Sequence, residues 1–199
     1  MTITTADIKA LRDETGVSIM QCKNALEEAG GDAEKAKLIL RNLSSKAATK
    51  KSDRELGAGV VCAYIHGNNT LGALLELQCE TDFVANNDEF KALADNIAMH
   101  ITAMQPEFIS SDDISDDDKQ KARELFAEEV AAMDDKPEDI KAKILEGKLD
   151  DHFAQKTLLE QAYVKNPDIT IEKLIEEAIQ KMGEKIAVAR FTRYGLLEE

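Results

Sequence analysis

LGALLELQCETDFVANNDEFKALADNIAMHITAM, residues 71–104, changes its hydrophobic period partway along, and that change decides the fold. The first part alternates, with Leu71, Ala73, Leu75, Leu77 and Cys79 set against Gly72, Leu74, Glu76, Gln78 and Glu80. Alternation of this kind marks a strand with one buried face. The last part places Phe90, Leu93, Ala94, Ile97, Ile101 and Met104 at i, i+3, i+4, i+7, i+11 and i+14, with Pro106 just beyond. That is one stripe of a long helix. Between the two, from Glu80 to Asn87, neither period holds.

Upstream, Gly59–His66 (GVVCAYIH) is β-branched and aromatic and runs into Gly67-Asn68-Asn69, so it pairs with the alternating strand as a hairpin. Downstream, the acidic stretch Ser110–Asp118 precedes a helix around Arg123–Met133. A further helix opens at Pro137, carries Ile140, Ile144 and Leu145, and is expected to stop at Gly147. TLLEQAYV, residues 157–164, reads as extended. Thr170 leads a helix with Ile171, Leu174, Ile175, Ala178, Ile179 and Met182 in register, closed by Gly183. In IAVARFTRY, Ile186, Val188, Arg190 and Thr192 alternate with Ala187, Ala189 and Phe191, a last strand that returns to the hairpin.

Residues 1–45 read as three short helices. Caps are expected at Thr4 (with Asp7), Ser18 and Asp32, and stops at Gly16 and Gly30-Gly31. Ala33, Ala36, Leu40 and Leu43 are expected to line one side of the third helix, and Ile19 and Met20 read as ordinary core at the start of the second. Residues 46–57 hold no apolar group larger than alanine before Leu56 and read as a linker or helix extension that buries little. Residues 58–199 form the remainder. The expected architecture is α+β: a three-helix head, a linker, then a small antiparallel β-sheet covered by helices on one face.

Composition narrows the function. The 199 residues carry a net charge of −14, yet residues 1–55 are nearly balanced, ten Lys/Arg against nine Asp/Glu, so the acidity sits in the remainder. Such a body repels phosphate backbones and anionic membrane surfaces, which points away from nucleic acid and membrane partners and toward a protein. No window reaches the roughly 20 apolar residues of a membrane span, and the N-terminus lacks a secretory pattern. Cys22, Cys62 and Cys79, odd in number and scattered, fit a reducing cytoplasm and inert core thiols. His66, His100 and His152 share no ligand spacing, and Asp112–Asp118 lacks the glycine and terminal glutamate of a calcium loop, so no metal is expected. No nucleophile elbow, C-x-x-C or phosphate-cradling glycine loop is present, so neither a cofactor nor enzymatic chemistry is expected.

The junction Cys79-Glu80-Thr81-Asp82-Phe83-Val84-Ala85-Asn86-Asn87 puts an apolar pair on a turn. Apolar groups on turns usually fold back, so residue types alone make Phe83 a lid on the hairpin. The alternative is that Phe83 protrudes as an anchor for a partner, with Asp82 as a charged probe beside it.

Several blocks together resemble the elongation factor Ts family. They are IKALRDETGVSIMQCKNALEEAGGDAEKA (residues 8–36), LGALLELQCETDFV with its ETDFVA core (80–85), AMHITAMQPEFI, KPEDIKAKILEGKL and the final GEKIAVARFTRY. The likeness covers nearly the whole chain and is to the short form, which lacks the duplicated core subdomain and coiled-coil insertion of longer members. It implies a ubiquitin-associated-like head and guanine-nucleotide exchange on the translational GTPase elongation factor Tu, with the factor binding the GDP form and the nucleotide-free form. Thr81, Asp82, Phe83 and Val84 would intrude beside the GTPase magnesium site. Leu71, Gly72 and His100, together with Ile19, Met20 and Lys23 of the head, would supply further contacts. Short members tend to pair as homodimers. Some carry a cysteine where this chain has Thr192, so a dimer here would be non-covalent.

From position alone, His100 lies about 70° from the centre of its helix stripe, where a satisfied core-edge histidine is the commoner reading. Two other functions compete. In one, the head alone recognises a different protein; in the other, Asp82 and His100 act as an acid–base pair.

Overall fold

The computed structural model describes residues 3–133 and 137–198. Three helices come first: α1 (Thr5–Thr15), α2 (Ile19–Glu28) and α3 (Ala33–Thr49). The hairpin β1 (Ala58–Ile65) and β2 (Leu71–Cys79) leads through a one-turn helix, α4 (Asp82–Ala85), to α5 (Asp88–Met104). Helices α6 (Asp116–Ala131) and α7 (Glu138–Lys156) follow, then the short strands β3 (Ala162–Tyr163) and β4 (Asn166–Thr170), α8 (Ile171–Met182) and β5 (Ile186–Gly195).

The head begins its helices where the polar caps stand. Thr4 and Asp7 form a full capping box, and Ser18 and Asp32 accept the Gln21 and Lys35 N–H groups. These bonds satisfy donors that have no partner inside the helix. Leu11, Val17, Cys22, Leu26, Ala36 and Leu40 form a small core of their own. Ile19 and Met20, read as core, are instead 59% and 64% exposed.

Helix α3 runs on to Thr49, four residues into the 46–57 segment read as a linker or helix extension. Ala36, Leu40, Ser44 and Ala48, each four residues apart, form its buried line; Ser44 is fully enclosed and Ala48 packs on the main core. Leu43, off this line, is left 37% exposed, and Ala33 is exposed as well. The second half of α3 packs against α8, where Ser45 Oγ donates to Glu176 (2.6 Å) and accepts from Lys173 Nζ (2.8 Å). Arg41 also pairs with Glu177 at 3.4 Å. Small residues are what a close helix–helix seam requires, so a composition that resembles a tether is that of a packed surface.

The sheet is antiparallel in the order β1-β2-β5. Its inner face (Cys62, Leu75, Leu77, Cys79, Ile186 and Val188) packs on α5 and α8, with Phe90, Ile97, Ile101, Ile171 and Ile175 filling the core. The alternation expected for β5 breaks partway. Glu76 pairs with Arg190 but Leu77 pairs with Val188, so Ala189 is bulged out. One extra residue reverses the phase. Ile186 and Val188 point inward before the bulge, and Phe191 and Arg193 share the inner face after it, leaving Arg190 and Thr192 outside.

Gly147 does not end a helix; it lies inside α7. The cost of a helical glycine, roughly 1 kcal/mol, is offset by pairing with α6, including Lys148–Glu129 at 2.7 Å and the edge-on His152–Phe126 contact. The acidic stretch is largely cap chemistry: Asp113 accepts from the Ser110 N–H (2.8 Å) and Asp118 from Ser115 Oγ (2.6 Å). Within 157–164 only the ends are extended, Thr157 bridging to Phe108 and Ala162–Tyr163 pairing with β4.

Candidate functional site

Strand β2 ends on Cys79, fully buried, whose thiol donates to the Thr81 carbonyl at 3.3 Å; burial holds this thiol above its ordinary pKa. Glu80, next along, accepts the Lys185 N–H and pairs with Arg54 (3.1 Å), and these bonds hold its carboxyl below the usual range. The end of the 46–57 segment is thereby tied to the strand exit.

Thr81 stands extended at the N-cap of α4, but its side chain does not cap the helix. Instead its hydroxyl and N–H both donate to the Glu184 carboxylate, at 2.6 and 3.0 Å. From that anchor the chain makes a single turn. Ala85 and Asn86 N–H groups return to the Thr81 and Asp82 carbonyls, the Asn86 amide donates to Asp82 O, and Asn87 caps α5 through the Glu89 N–H (2.8 Å).

A helical turn rotates successive side chains by about 100°. Val84 and Ala85 therefore face the core, 4% and 6% exposed, while Phe83 stands 85% exposed beside exposed Thr81 and Asp82. Phe83 is not a lid. Val84, its neighbour, does the core packing that the residue types suggested for Phe83.

The other residues singled out from sequence fall in two separate places. Ile19, Met20 and Lys23 are exposed together on α2, Lys23 resting 3.7 Å from Glu27. Leu71 and Gly72 begin β2, roughly 26 Å from its Cys79 end by strand rise. Leu71 is half-buried. Gly72 is buried because Ile65 crosses over it: a Cβ there would lie 2.6 Å from Ile65 Cδ1.

His100 belongs to this far end of the core and presents no surface at all. Its Nδ1 accepts the Val164 N–H (3.2 Å), which puts the ring proton on Nε2, donating to Gln161 Oε1 at 2.9 Å. Gln161 in turn donates to the Met104 and Gln155 carbonyls. Burial lowers the His100 pKa and favours the neutral ring. His100 thus ties α5 to the β3 segment from inside, remote from Asp82, and the two do not meet as an acid–base pair.

Sequence reasoning did not find Glu184 or Lys185. Their contacts lie about a hundred residues away in the chain, and no local periodicity signals them.

Among the described residues no three His, Cys, Asp or Glu side chains gather as a metal site, and no helix is long and apolar enough to cross a membrane. Cys62 donates to Asp95 (2.8 Å), and burial together with that carboxylate pushes its thiol up to about 12.

Comparison with known proteins agrees with the sequence blocks. A family model described as Elongation factor TS matches residues 42–198. The elongation factor Ts of Carboxydothermus hydrogenoformans is 47% identical over 98% of this chain and 90% of its own length. That of Coprothermobacter proteolyticus is 46% identical over the whole of both chains, and that of Thermotoga petrophila 47% identical over 96% of this chain and 94% of its own. With the head, the three-stranded sheet and the exposed turn in place, the chain belongs to the elongation factor Ts family, a family of translation elongation factors.

Proposed function

We propose that this protein is a guanine-nucleotide exchange factor for elongation factor Tu, acting in the cytoplasm and performing no covalent chemistry of its own. It binds the GDP-loaded GTPase, disturbs the contacts that hold magnesium on the nucleotide, and so promotes GDP release. The observation that carries this reading is Phe83, 85% exposed on a turn closed by the Ala85 and Asn86 N–H bonds to the Thr81 and Asp82 carbonyls. An apolar ring presented to water on an ordered helical turn is an anchor awaiting a pocket. Asp82 beside it supplies the carboxylate that would disturb the contacts holding magnesium on GDP.

The ring alone is not enough. Burying one Phe contributes about 1.5–3 kcal/mol, roughly a tenfold to hundredfold effect. A 10⁴-fold acceleration of release needs about 5.5 kcal/mol of preference for the nucleotide-free partner. The ubiquitin-associated-like head, with Ile19, Met20 and Lys23, is the natural second grip. Linkage makes the effect mutual: nucleotide expels the factor as the factor expels nucleotide. The test is release of a fluorescent GDP from purified elongation factor Tu with and without this protein. Stimulation that drops tenfold or more in Phe83→Ala supports the reading, and absence of stimulation by the wild-type chain sinks it.

We also propose a non-covalent homodimer formed through the outer face of the sheet. Val61, Ile65, Leu74 and Tyr194 are 67%, 61%, 50% and 74% exposed there. The charges of this face, Glu76 and Arg190, pair at 2.7 Å, which holds the Glu76 carboxyl below its usual range. On a chain of net charge −14 this face is a place where two copies meet without repulsion. Thr192, where some short family members carry a cysteine, lies on it opposite Leu74.

A further inference from the structure

The head and the Phe83 turn meet the same few residues at the end of α8. Lys181, in the last turn of α8, directs its ammonium to Glu89 at 2.6 Å, in the first turn of α5 and just past α4. Its aliphatic stem lies over Gly16, the residue that closes α1 at φ +69°. A Cβ at Gly16 would stand 2.7 Å from Lys181 Cε and 2.8 Å from Nζ, so the absence of a side chain there is what lets the lysine pass. Three residues beyond Lys181, Glu184 grips Thr81 at the entrance to α4. Gly16 leads within four residues to Ile19 and Met20, so one short stretch at the end of α8 and just beyond it touches the supports of both exposed apolar points.

The seam between α3 and α8 fixes where the head is attached. A seam along one helix leaves rotation about that helix weakly constrained, and a second contact away from its axis removes that freedom. Lys181 over Gly16 is such a contact. We propose that Lys181 is a positioning residue that joins the Ile19–Met20 patch and the Phe83 turn into one bipartite docking surface for the GTPase. This rests on the exchange-factor reading for its partner, while the mechanical part stands on the chain alone. Two grips held in fixed relation act at high effective concentration; when they swivel, the second grip loses part of that advantage.

The experiment uses the full chain with spin labels at Asn24→Cys on α2 and Lys91→Cys on α5, both exposed positions. The labelled chain is diluted into excess unlabelled chain, so that only distances within one copy are read. Pulsed electron resonance should then give one narrow distance distribution in the parent and in Lys181→Arg, and a broadened one in Lys181→Ala. In GDP-release titrations on the unlabelled chain, Lys181→Ala should raise the half-saturating concentration roughly tenfold with the maximal rate unchanged. That penalty should vanish in an Ile19→Ala/Met20→Ala background. A lysine that merely stabilised the fold would lower the melting temperature and weaken binding in either background. An unchanged distance distribution in Lys181→Ala overturns the proposal, as does a penalty that persists without Ile19 and Met20. If the wild-type chain does not stimulate release, the exchange-factor reading fails and the docking role with it. If it does, but neither Phe83→Ala nor the Ile19/Met20 variant affects release, the docking role alone fails. In both cases the distance measurement still decides whether Lys181 holds the head.

Discussion

Phe83 and Val84 are neighbours on a single helical turn, yet one faces solvent, 85% exposed, and the other the core, 4% exposed. Their truncations should therefore separate function from stability. Phe83→Ala should change the free energy of unfolding by no more than about 0.5 kcal/mol, whereas Val84→Ala, opening a gap in the core, should cost about 1–3 kcal/mol. Urea denaturation of both variants checks this. A midpoint loss for Phe83→Ala as large as that for Val84→Ala would mean the ring packs on its own chain.

Leu74 and Thr192 sit side by side on the open face of the sheet. A charge introduced there should prevent two copies from meeting without disturbing the inner face. Leu74→Glu is expected to weaken self-association at least tenfold, read by sedimentation, with circular dichroism unchanged. A dimer that survives this change uses some other surface.

His100 gives stability a defined pH dependence. Its folded pKa is lowered below the ordinary value of 6.5, mainly by burial, so between the two values the unfolded state binds more protons. The stability that rests on the neutral ring is fully present above about pH 6.5 and declines as pH falls through that window. His100→Ala should cost at least about 2 kcal/mol at pH 7.5, because the Val164 N–H and Gln161 Oε1 lose their partner. The gap between variant and parent should narrow at pH 5. Denaturant titrations at the two pH values measure it; a gap independent of pH would contradict a neutral buried ring.

Gly147 lies exposed inside α7 with nothing within 4 Å of where a Cβ would go. Gly147→Ala should stabilise the helix by about 0.5–1 kcal/mol. Amide hydrogen exchange along α7 is the suitable measure, since α7 packs chiefly on α6 and can open without the core. Faster exchange in the variant would show that the glycine is needed there.

The parts of the fold legible in the sequence are those set by local pattern. Alternation from Leu71 to Cys79 marked β2, the stripe from Phe90 to Met104 marked α5, and Thr4, Ser18, Asp32 and Thr170 marked helix starts, because caps and amphipathic periods are consequences of backbone geometry. The misreadings share a cause. The segment from residue 46 was read as burying little, yet Ala48 packs on the main core, because its worth lies in how closely α8 approaches. Gly147 looked like a stop because its compensation comes from α6. The phase of β5 reversed because the bulge at Ala189 belongs to a pairing, not to a strand. Within the site, the unusual Phe83-Val84 pair was visible in the residues, but which of the two points outward was not.

Sequence alone determined the main helices, the three strands of the larger sheet, their order and the family, since each depends on residues close together in the chain or on whole blocks of it. Only the tertiary structure decided that Phe83 faces solvent and His100 does not, and that the end of α8 reaches both the head and the Phe83 turn. Those outcomes depend on which surfaces are covered by segments a hundred residues away, and burial by a distant segment leaves no mark in the local pattern.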